Sequence, residues 1–273
     1  MRPPIEVRNT LRAAPVGVCI YCGAARRLSE EHIIPLALGG RFVIPEASCP
    51  NCSEITSDFE RRVLRGFMRD ARVTGGFPTR RPQERPQTLP LQIERDGVFE
   101  EMQLPSAQHP ALLILPLLYP AGVLTGRDLK TGTSCAGYET LYFGADPVSV
   151  GKKLGATSIR TSVDWDLTSF ARLLAKIAYG FAVAEYGLLP KEQVPILPLI
   201  LGVRDDASCW LGSAQFVLAV ESMQPTHAVG VTWLPHPIDQ GTSILVARVK
   251  LFAPSGATGY EIVVARQPTG IAA

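Results

Sequence analysis

The sequence predicts an α+β protein in which a small cysteine-bearing module precedes a larger α+β domain with an antiparallel sheet. Four of the six cysteines lie near the start of the chain. The second half combines one helical repeat of apolar residues with several strand-like runs. We place the module at 16–72, an Arg/Pro-rich arm or linker at 73–89, and a C-terminal α+β domain of unknown role at 90–273.

The composition is that of a globular protein. Apolar residues make up 46% of the 273 positions and charged residues 19%, which excludes an intrinsically disordered chain. The start of the chain has no apolar signal segment, and the most apolar stretch, 111–124, is interrupted by prolines and too short to span a bilayer. We therefore expect a cytoplasmic protein without a membrane partner.

Two C-x-x-C pairs lie in the module, one at Cys19 and Cys22 and the other at Cys49 and Cys52. Each pair places two thiolates on one tight turn, so two such turns together form a closed tetrahedral site for zinc. A closed site leaves no open coordination position, which makes this zinc structural. The alternatives are a redox pair or buried cysteines without a metal.

A Glu-His-Ile-Ile-Pro run occupies 31–35, between the two cysteine pairs, and Leu-Gly-Gly follows at 38–40. This pattern resembles the HNH endonuclease family (His-Me finger, or ββα-metal). The resemblance is to the variant in which two C-x-x-C pairs, one on either side of the motif, bind one zinc. The resemblance covers about 16–72 and implies a ββα finger, in which a β-hairpin precedes a helix. Apolar residues at helical spacing from Ile55 to Met68 agree with that helix.

The resemblance also implies a reaction, the hydrolysis of phosphodiester bonds in nucleic acid, with DNA the expected substrate. His32 would be the general base, since a neutral imidazole can take a proton from water near neutral pH. Glu31 would act with it as a ligand of a catalytic divalent ion, which stabilises the phosphate and the leaving oxygen. Mg²⁺ suits a site with few protein ligands, and Mn²⁺ is the alternative.

Two positions depart from the family pattern. Ile44 stands near the place of the asparagine that orients the base, and Ser53 replaces the asparagine or histidine that binds the ion. Ser53 is a poor ligand, so Glu60, or less favourably Ser57, would complete the ion site from the same helical face. The alternative is a zinc-dependent nucleic-acid-binding protein without catalysis. A third hypothesis assigns the function to the C-terminal domain, as a regulatory or partner-binding unit.

An arginine-rich segment follows the motif, with eight arginines against two acidic residues between positions 61 and 85. The planar guanidinium group suits phosphate oxygens, so the segment predicts salt-sensitive binding of nucleic acid. The alternative is an ordinary solvated helix face. We expect Arg80, Arg81 and Arg85, which lie among prolines, to extend freely on the arm. The complete set is Arg61, Arg62, Arg65, Arg69, Arg72, Arg80, Arg81 and Arg85.

The C-terminal domain shows one clear helix, at 166–186, where apolar residues recur at helical spacing before Gly187. The last three predicted strands are separated by turn-rich loops, which indicates an antiparallel meander. A further run at 194–201 is predicted as an edge strand because it contains two prolines. We assign no role to the remaining cysteines and histidines. The other predicted strands are 89–95, 139–143, 214–220, 228–234, 243–252 and 260–265.

Overall fold

The computed structural model describes residues 11–127, 131–216 and 226–270. The module opens with a three-stranded sheet in the order β1-β3-β2. Strands β2 and β3 are antiparallel, with His32 opposite Val43. The predicted β-hairpin followed by a helix is confirmed. Its elements are β1 (Leu11–Arg12), β2 (Ser29–His32), β3 (Phe42–Ser48), α1 (Pro50–Arg65) and α2 (Arg69–Thr74).

Local sequence explains both the hairpin and its helix. Gly39 has a φ of 82°, which glycine adopts without the steric cost of a Cβ. At Gly40 a Cβ would collide with the Ile34 carbonyl. Helix α1 begins with Cys49 as the N-cap and Pro50 in the first turn, where the missing proline N–H costs nothing.

The rest of the described chain adds three antiparallel sheets, in the orders β5-β4-β8, β6-β7 and β10-β11-β12-β9. The predicted α+β class and the terminal antiparallel meander are confirmed. The strands are β4 (Thr88–Arg95), β5 (Val98–Pro105), β6 (Pro110–Leu118), β7 (Cys135–Gly144), β8 (Ser158–Arg160), β9 (Leu211–Ala214), β10 (His227–Pro235), β11 (Thr242–Leu251) and β12 (Gly259–Pro268). The helices are α3 (Gly122–Thr125), α4 (Pro147–Leu154), α5 (Leu167–Tyr186), α6 (Leu197–Ile200) and α7 (Ala207–Trp210).

Helix α5 is the central element of the fold. The Asp166 side chain caps it by accepting a hydrogen bond from the Ser169 N–H at 2.8 Å, and the predicted helix at 166–186 is confirmed. Its length and composition would suffice to cross a membrane, but most of the helix is buried inside the protein. That burial is typical of a core helix in a globular fold.

The module and helix α5 share one hydrophobic core. Ile33 from the hairpin lies against Gly180, where a Cβ would be 3.5 Å from its side chain. The rings of Phe42 and Phe181 meet edge to face with centroids 6.2 Å apart. The buried cluster continues from the module through α5 to β11 and β12. The module at 16–72 and the C-terminal region at 90–273, which the sequence predicts as separate domains, therefore share the core around helix α5.

Much of the predicted arm at 73–89 is folded against the protein. Phe77 is buried, and its ring lies 5.6 Å from that of Phe252 between centroids. Arg85 donates hydrogen bonds to the Val73 and Phe77 carbonyls. The prediction that Arg85 extends freely is wrong, because the aromatic contact folds the segment back onto itself.

Two strand predictions differ from the structure. Within 194–201 the chain forms helix α6, because Pro198 lies in a first helical turn, where proline is tolerated. A short apolar run does not distinguish a buried helix from a strand. The strand predicted at 214–220 ends instead at Ala214, and positions 217–220 lie outside the described residues.

His227 joins the meander to the module. Its buried ring donates from Nε2 to the Leu38 carbonyl at 2.7 Å and accepts at Nδ1 from the Phe252 N–H at 3.2 Å. Burial lowers the pKa of His227 to about 4. An unfolded histidine has a pKa of about 6.5. Between pH 6.5 and pH 4, His227 is therefore protonated in the unfolded chain but neutral in the folded protein.

This buried imidazole predicts acid sensitivity. Its contribution to stability is complete above pH 6.5 and declines as the pH falls from 6.5 towards 4, by up to about 3 kcal/mol. Urea unfolding of the wild type and His227→Gln at pH 7 and pH 4.5 checks this. The variant is expected to lose less unfolding free energy between the two pH values. Equal losses would contradict the assignment.

Candidate active site and metal centre

The four cysteines of the two C-x-x-C pairs form one cluster. Their Sγ atoms all lie within 4.8 Å of one another, and those of Cys22 and Cys49 are 3.6 Å apart. A disulfide bond measures about 2.05 Å, so the cysteines are not bridged. Four sulfurs around zinc, each about 2.3 Å from the ion, lie about 3.8 Å apart. The cluster is therefore compatible with structural zinc.

The thiols of this cluster differ in their pKa values. A hydrogen bond from the Cys52 N–H, at the start of α1, lowers the pKa of Cys49 to about 7, whereas burial raises the pKa values of Cys22 and Cys52. A lower pKa favours the thiolate form that zinc requires. Cys19, Cys49 and Cys52 are buried and Cys22 is exposed. Lys191, outside the module, donates to the Cys22 carbonyl at 2.6 Å.

His32 ends strand β2 and is partly exposed. Within the described ranges, no protein group forms a hydrogen bond with its ring. Burial lowers the pKa of His32, and the positive charges of Lys176 and Arg80 add to the effect, against Glu31 and Glu30. The imidazole is therefore neutral at pH 7, the form that a general base needs. Ile44, in place of an orienting asparagine, is a fully buried apolar residue.

The carboxylates of Glu31 and Glu60 meet at one buried cation. Lys176, in the middle of helix α5, places Nζ 2.7 Å from Glu31 Oε1 and 3.0 Å from Glu60 Oε1. The same ammonium donates to the His32 carbonyl and lies 3.3 Å from the Ile33 carbonyl. Its side chain is 1% exposed. The helix of the C-terminal region thus binds both predicted carboxylate ligands.

The two neighbouring carboxylates keep the buried Lys176 ammonium protonated. Burial acts to lower the pKa of Lys176, but the charges of Glu31 and Glu60 outweigh it and the pKa is raised. Burial raises the pKa of Glu60, against the opposing effect of Lys176. Tyr21 is buried beside them, and its hydroxyl has no hydrogen-bond partner among the described residues. Burial and the two carboxylates raise the pKa of Tyr21 well above its ordinary value.

The predicted ligands of the catalytic ion are only partly brought together. Glu31 and Glu60 converge, but on Lys176 rather than on an open space. Ser53 lies seven residues before Glu60 on α1, which is about 10 Å along a helix axis. Because the ammonium already occupies the position between the carboxylates, this pair does not fit a divalent ion in the observed arrangement.

The eight predicted arginines divide into two groups. Arg72 donates to the Ala37 and Leu64 carbonyls at 2.7 and 2.6 Å, and burial lowers its pKa to about 10. Arg72 and Arg85 therefore hold the protein's own backbone. The other six are exposed, and four of these pair with acidic neighbours on the surface. In the part of the chain that the structure describes, Arg65 and Arg80 have no ion-pair partner.

Sequence reasoning missed several residues of the site. Lys176 gave a weak signal, as a charged residue among apolar positions of a predicted core helix. Arg26 and Arg27 line an open groove of about 860 Å³ beside the cysteine cluster, together with Glu54 at the start of α1. This groove adds cationic surface on the module itself, outside the predicted arginine segment.

Comparison with known proteins agrees with this geometry. Residues 19–68 match the family model described as HNH endonuclease. The matched segment contains both cysteine pairs, the hairpin and helix α1. Comparisons with curated proteins and with solved structures found no significant match. The segment 19–68 is therefore similar to the HNH endonuclease family, and it contains the four clustered cysteines.

Proposed function

We propose that this chain is an HNH-type endonuclease that hydrolyses phosphodiester bonds in DNA, with His32 as the general base and a structural zinc on the four cysteines. The family points to a nuclease in general. The observation that carries the finer proposal is the His32 ring, which is neutral, partly exposed and unbonded to protein groups in the described ranges. It is available to take a proton from water.

The chain's own residues supply the following chemistry. The neutral His32 imidazole accepts the proton of the attacking water, and exposed arginines hold the phosphates of the substrate. The family generally uses a divalent metal, and we propose Mg²⁺ or Mn²⁺ as the cofactor. Glu31 and Glu60 would not hold this ion in the observed arrangement, because Lys176 binds both carboxylates.

A plasmid cleavage assay tests the base. Zinc-loaded full-length protein with Mg²⁺ or Mn²⁺ is expected to cut DNA, and His32→Ala is expected to lower the rate by at least about 100-fold. His236→Ala is the matched control, since His236 bonds only nearby loop N–H groups among the described residues. Cleavage that survives His32→Ala would exclude this base.

A second function is favoured by two observations. Lys176 pairs with both Glu31 and Glu60, and Ile44, a buried apolar residue, cannot orient an imidazole, so the finger fits nucleic-acid binding without cleavage. This function predicts salt-sensitive binding, no cleavage with any divalent ion, and binding that His32→Ala leaves unchanged. The same assay therefore distinguishes the two functions.

The arginines make a separate prediction. Arg65→Ala and Arg80→Ala are expected to weaken DNA binding and to reduce the slope of log affinity against log salt by about 1 each, because each exposed guanidinium neutralises one phosphate. Fluorescence anisotropy over a salt series measures the slope. Arg95→Ala is the control, since Arg95 lies on strand β4 of another sheet and donates to the Leu154 carbonyl at the end of α4. A double variant with the wild-type slope would disprove the interface.

We also propose a cytoplasmic location without membrane contact, because zinc-binding thiols must stay reduced. Residues 90–273 would serve the finger by supporting it. Side chains from that region contact the module backbone, with Lys176, Tyr179, Lys191 and His227 donating to the carbonyls of His32, Ile20, Cys22 and Leu38.

A further inference from the structure

The pairing of Glu31 and Glu60 with a lysine changes what this carboxylate pair can bind. We propose that the Lys176 ammonium occupies the cation position between Glu31 and Glu60, so that the pair binds a divalent ion only when the ammonium is removed. The inference rests on the contacts around Lys176 and holds whether or not His32 supports cleavage.

The geometry is that of a filled cation site. Nζ lies 2.7 and 3.0 Å from the two carboxylates, which are distances of charge-assisted hydrogen bonds. The His32 and Ile33 carbonyls add two further oxygens. A divalent ion placed between the two carboxylates would bind their oxygens at about 2.0–2.6 Å. It cannot share that position with the ammonium, because the two cations would repel each other at short distance in a buried site.

Helix α5 keeps the ammonium in this position. Tyr179, one turn further along, donates to the Ile20 carbonyl at 2.7 Å. On the preceding turn the Arg172 guanidinium lies 4.7 Å from the centre of the Phe59 ring. The helix is therefore fixed against the finger on both sides of Lys176. Moving the ammonium away from its carboxylates would leave a buried charge without a partner, which is strongly unfavourable.

The consequence concerns the ion used by the finger. A lysine already surrounded by four protein oxygens has no position left for a phosphate oxygen. It pairs with both carboxylates, offsetting one of their two negative charges, and it holds the strand that carries His32, which makes it a positioning residue. A divalent ion that supports cleavage is therefore held by groups other than this pair.

Manganese binding to the intact protein tests the inference. Electron paramagnetic resonance counts Mn²⁺ bound to the zinc-loaded full chain, and Mn²⁺ prefers oxygen ligands to thiolates. Glu60→Gln and Glu31→Gln are expected to leave the affinity of the wild type for Mn²⁺ unchanged. A wild-type site whose affinity falls about tenfold or more in either variant would overturn the proposal.

The reverse experiment removes the ammonium. In Lys176→Met, Mn²⁺ is expected to raise the melting temperature by several degrees, because an ion that binds the folded state stabilises it. The wild type and the control Lys191→Met are expected to share a smaller shift, which comes only from Mn²⁺ held elsewhere on the folded protein. A folded Lys176→Met protein whose shift is no larger than that of the wild type would also overturn the proposal. If Lys176→Met does not fold, Mn²⁺ binding to Glu31→Gln and Glu60→Gln still tests the proposal. Neither readout depends on nuclease activity.

Discussion

Replacing Lys176 by methionine is expected to lower the free energy of unfolding by about 3–5 kcal/mol. Methionine keeps the volume and the apolar stem but removes the charge that balances Glu31 and Glu60. Both carboxylates then stay in a poorly solvated site without their cation. Urea unfolding at pH 7, followed by circular dichroism, measures the loss.

Two variants separate the charge effect from a simple loss of contact. The triple variant Lys176→Met, Glu31→Gln, Glu60→Gln is expected to recover most of the stability, because a buried ion pair replaced as a whole costs little. Lys191→Met removes an exposed lysine that also bonds the module backbone, and it is expected to cost less than about 1 kcal/mol. If Lys176→Met were as stable as this control, the Lys176 charge would not stabilise the fold by pairing with Glu31 and Glu60.

Removing zinc is expected to unfold the finger. Structural zinc contributes about 10–16 kcal/mol to the folding of small zinc-finger peptides, which is as large as the total stability of a typical domain, about 5–15 kcal/mol. Cys52→Ala, or a strong chelator on the wild type, is expected to release zinc. Amide exchange of residues 19–68 is then expected to rise sharply, whereas the meander β10–β12 keeps its protection.

Cys135→Ala is the matched control for this experiment. Cys135 lies outside the cluster, and its thiol donates to the Gly137 carbonyl on its own strand. It is expected to keep one zinc per chain and the wild-type exchange pattern. If chelation left exchange in 19–68 unchanged, zinc would have no structural role, and the shared core with α5 would hold the finger alone.

The parts of the fold that the sequence predicted correctly are those determined by short stretches of chain. The cysteine pairs, the Gly-Gly turn and the helical spacing after Cys52 each specify geometry within a few residues. Helix α5 was found for the same reason, through its apolar period and Gly187. The ββα finger and its metal cluster follow from such local patterns.

The contacts that were missed are long-range. Lys176 meets Glu31 across 145 positions, and nothing near either residue indicates the other. The packing of Phe77 on Phe252 likewise folds the segment 73–89 against the protein, where an extended arm was predicted. Periodicity specifies which face of a helix is buried, but not the element against which it is buried. The site residues supplied by α5 could therefore not be predicted from sequence spacing.

The division of the arginines follows from the same packing. Arg72 lies in the sequence among arginines that face solvent, yet its guanidinium holds the backbone at the hairpin turn and the end of α1. A count of charges in the sequence does not distinguish the arginines that face solvent from those that bind the backbone. The structure leaves six of them exposed on the surface, and Arg26 and Arg27 line the groove beside the cysteines.

We propose that two cations of different kinds hold the His32 finger, a metal on the cysteines and an ammonium on the carboxylates. Anomalous diffraction from crystals of the full chain soaked in Mn²⁺ tests this claim most directly. The expected map shows zinc at the four sulfurs and no manganese between Glu31 and Glu60, with Lys176 in contact with both. Manganese between those carboxylates, with the lysine displaced, or cysteines without zinc, would contradict it.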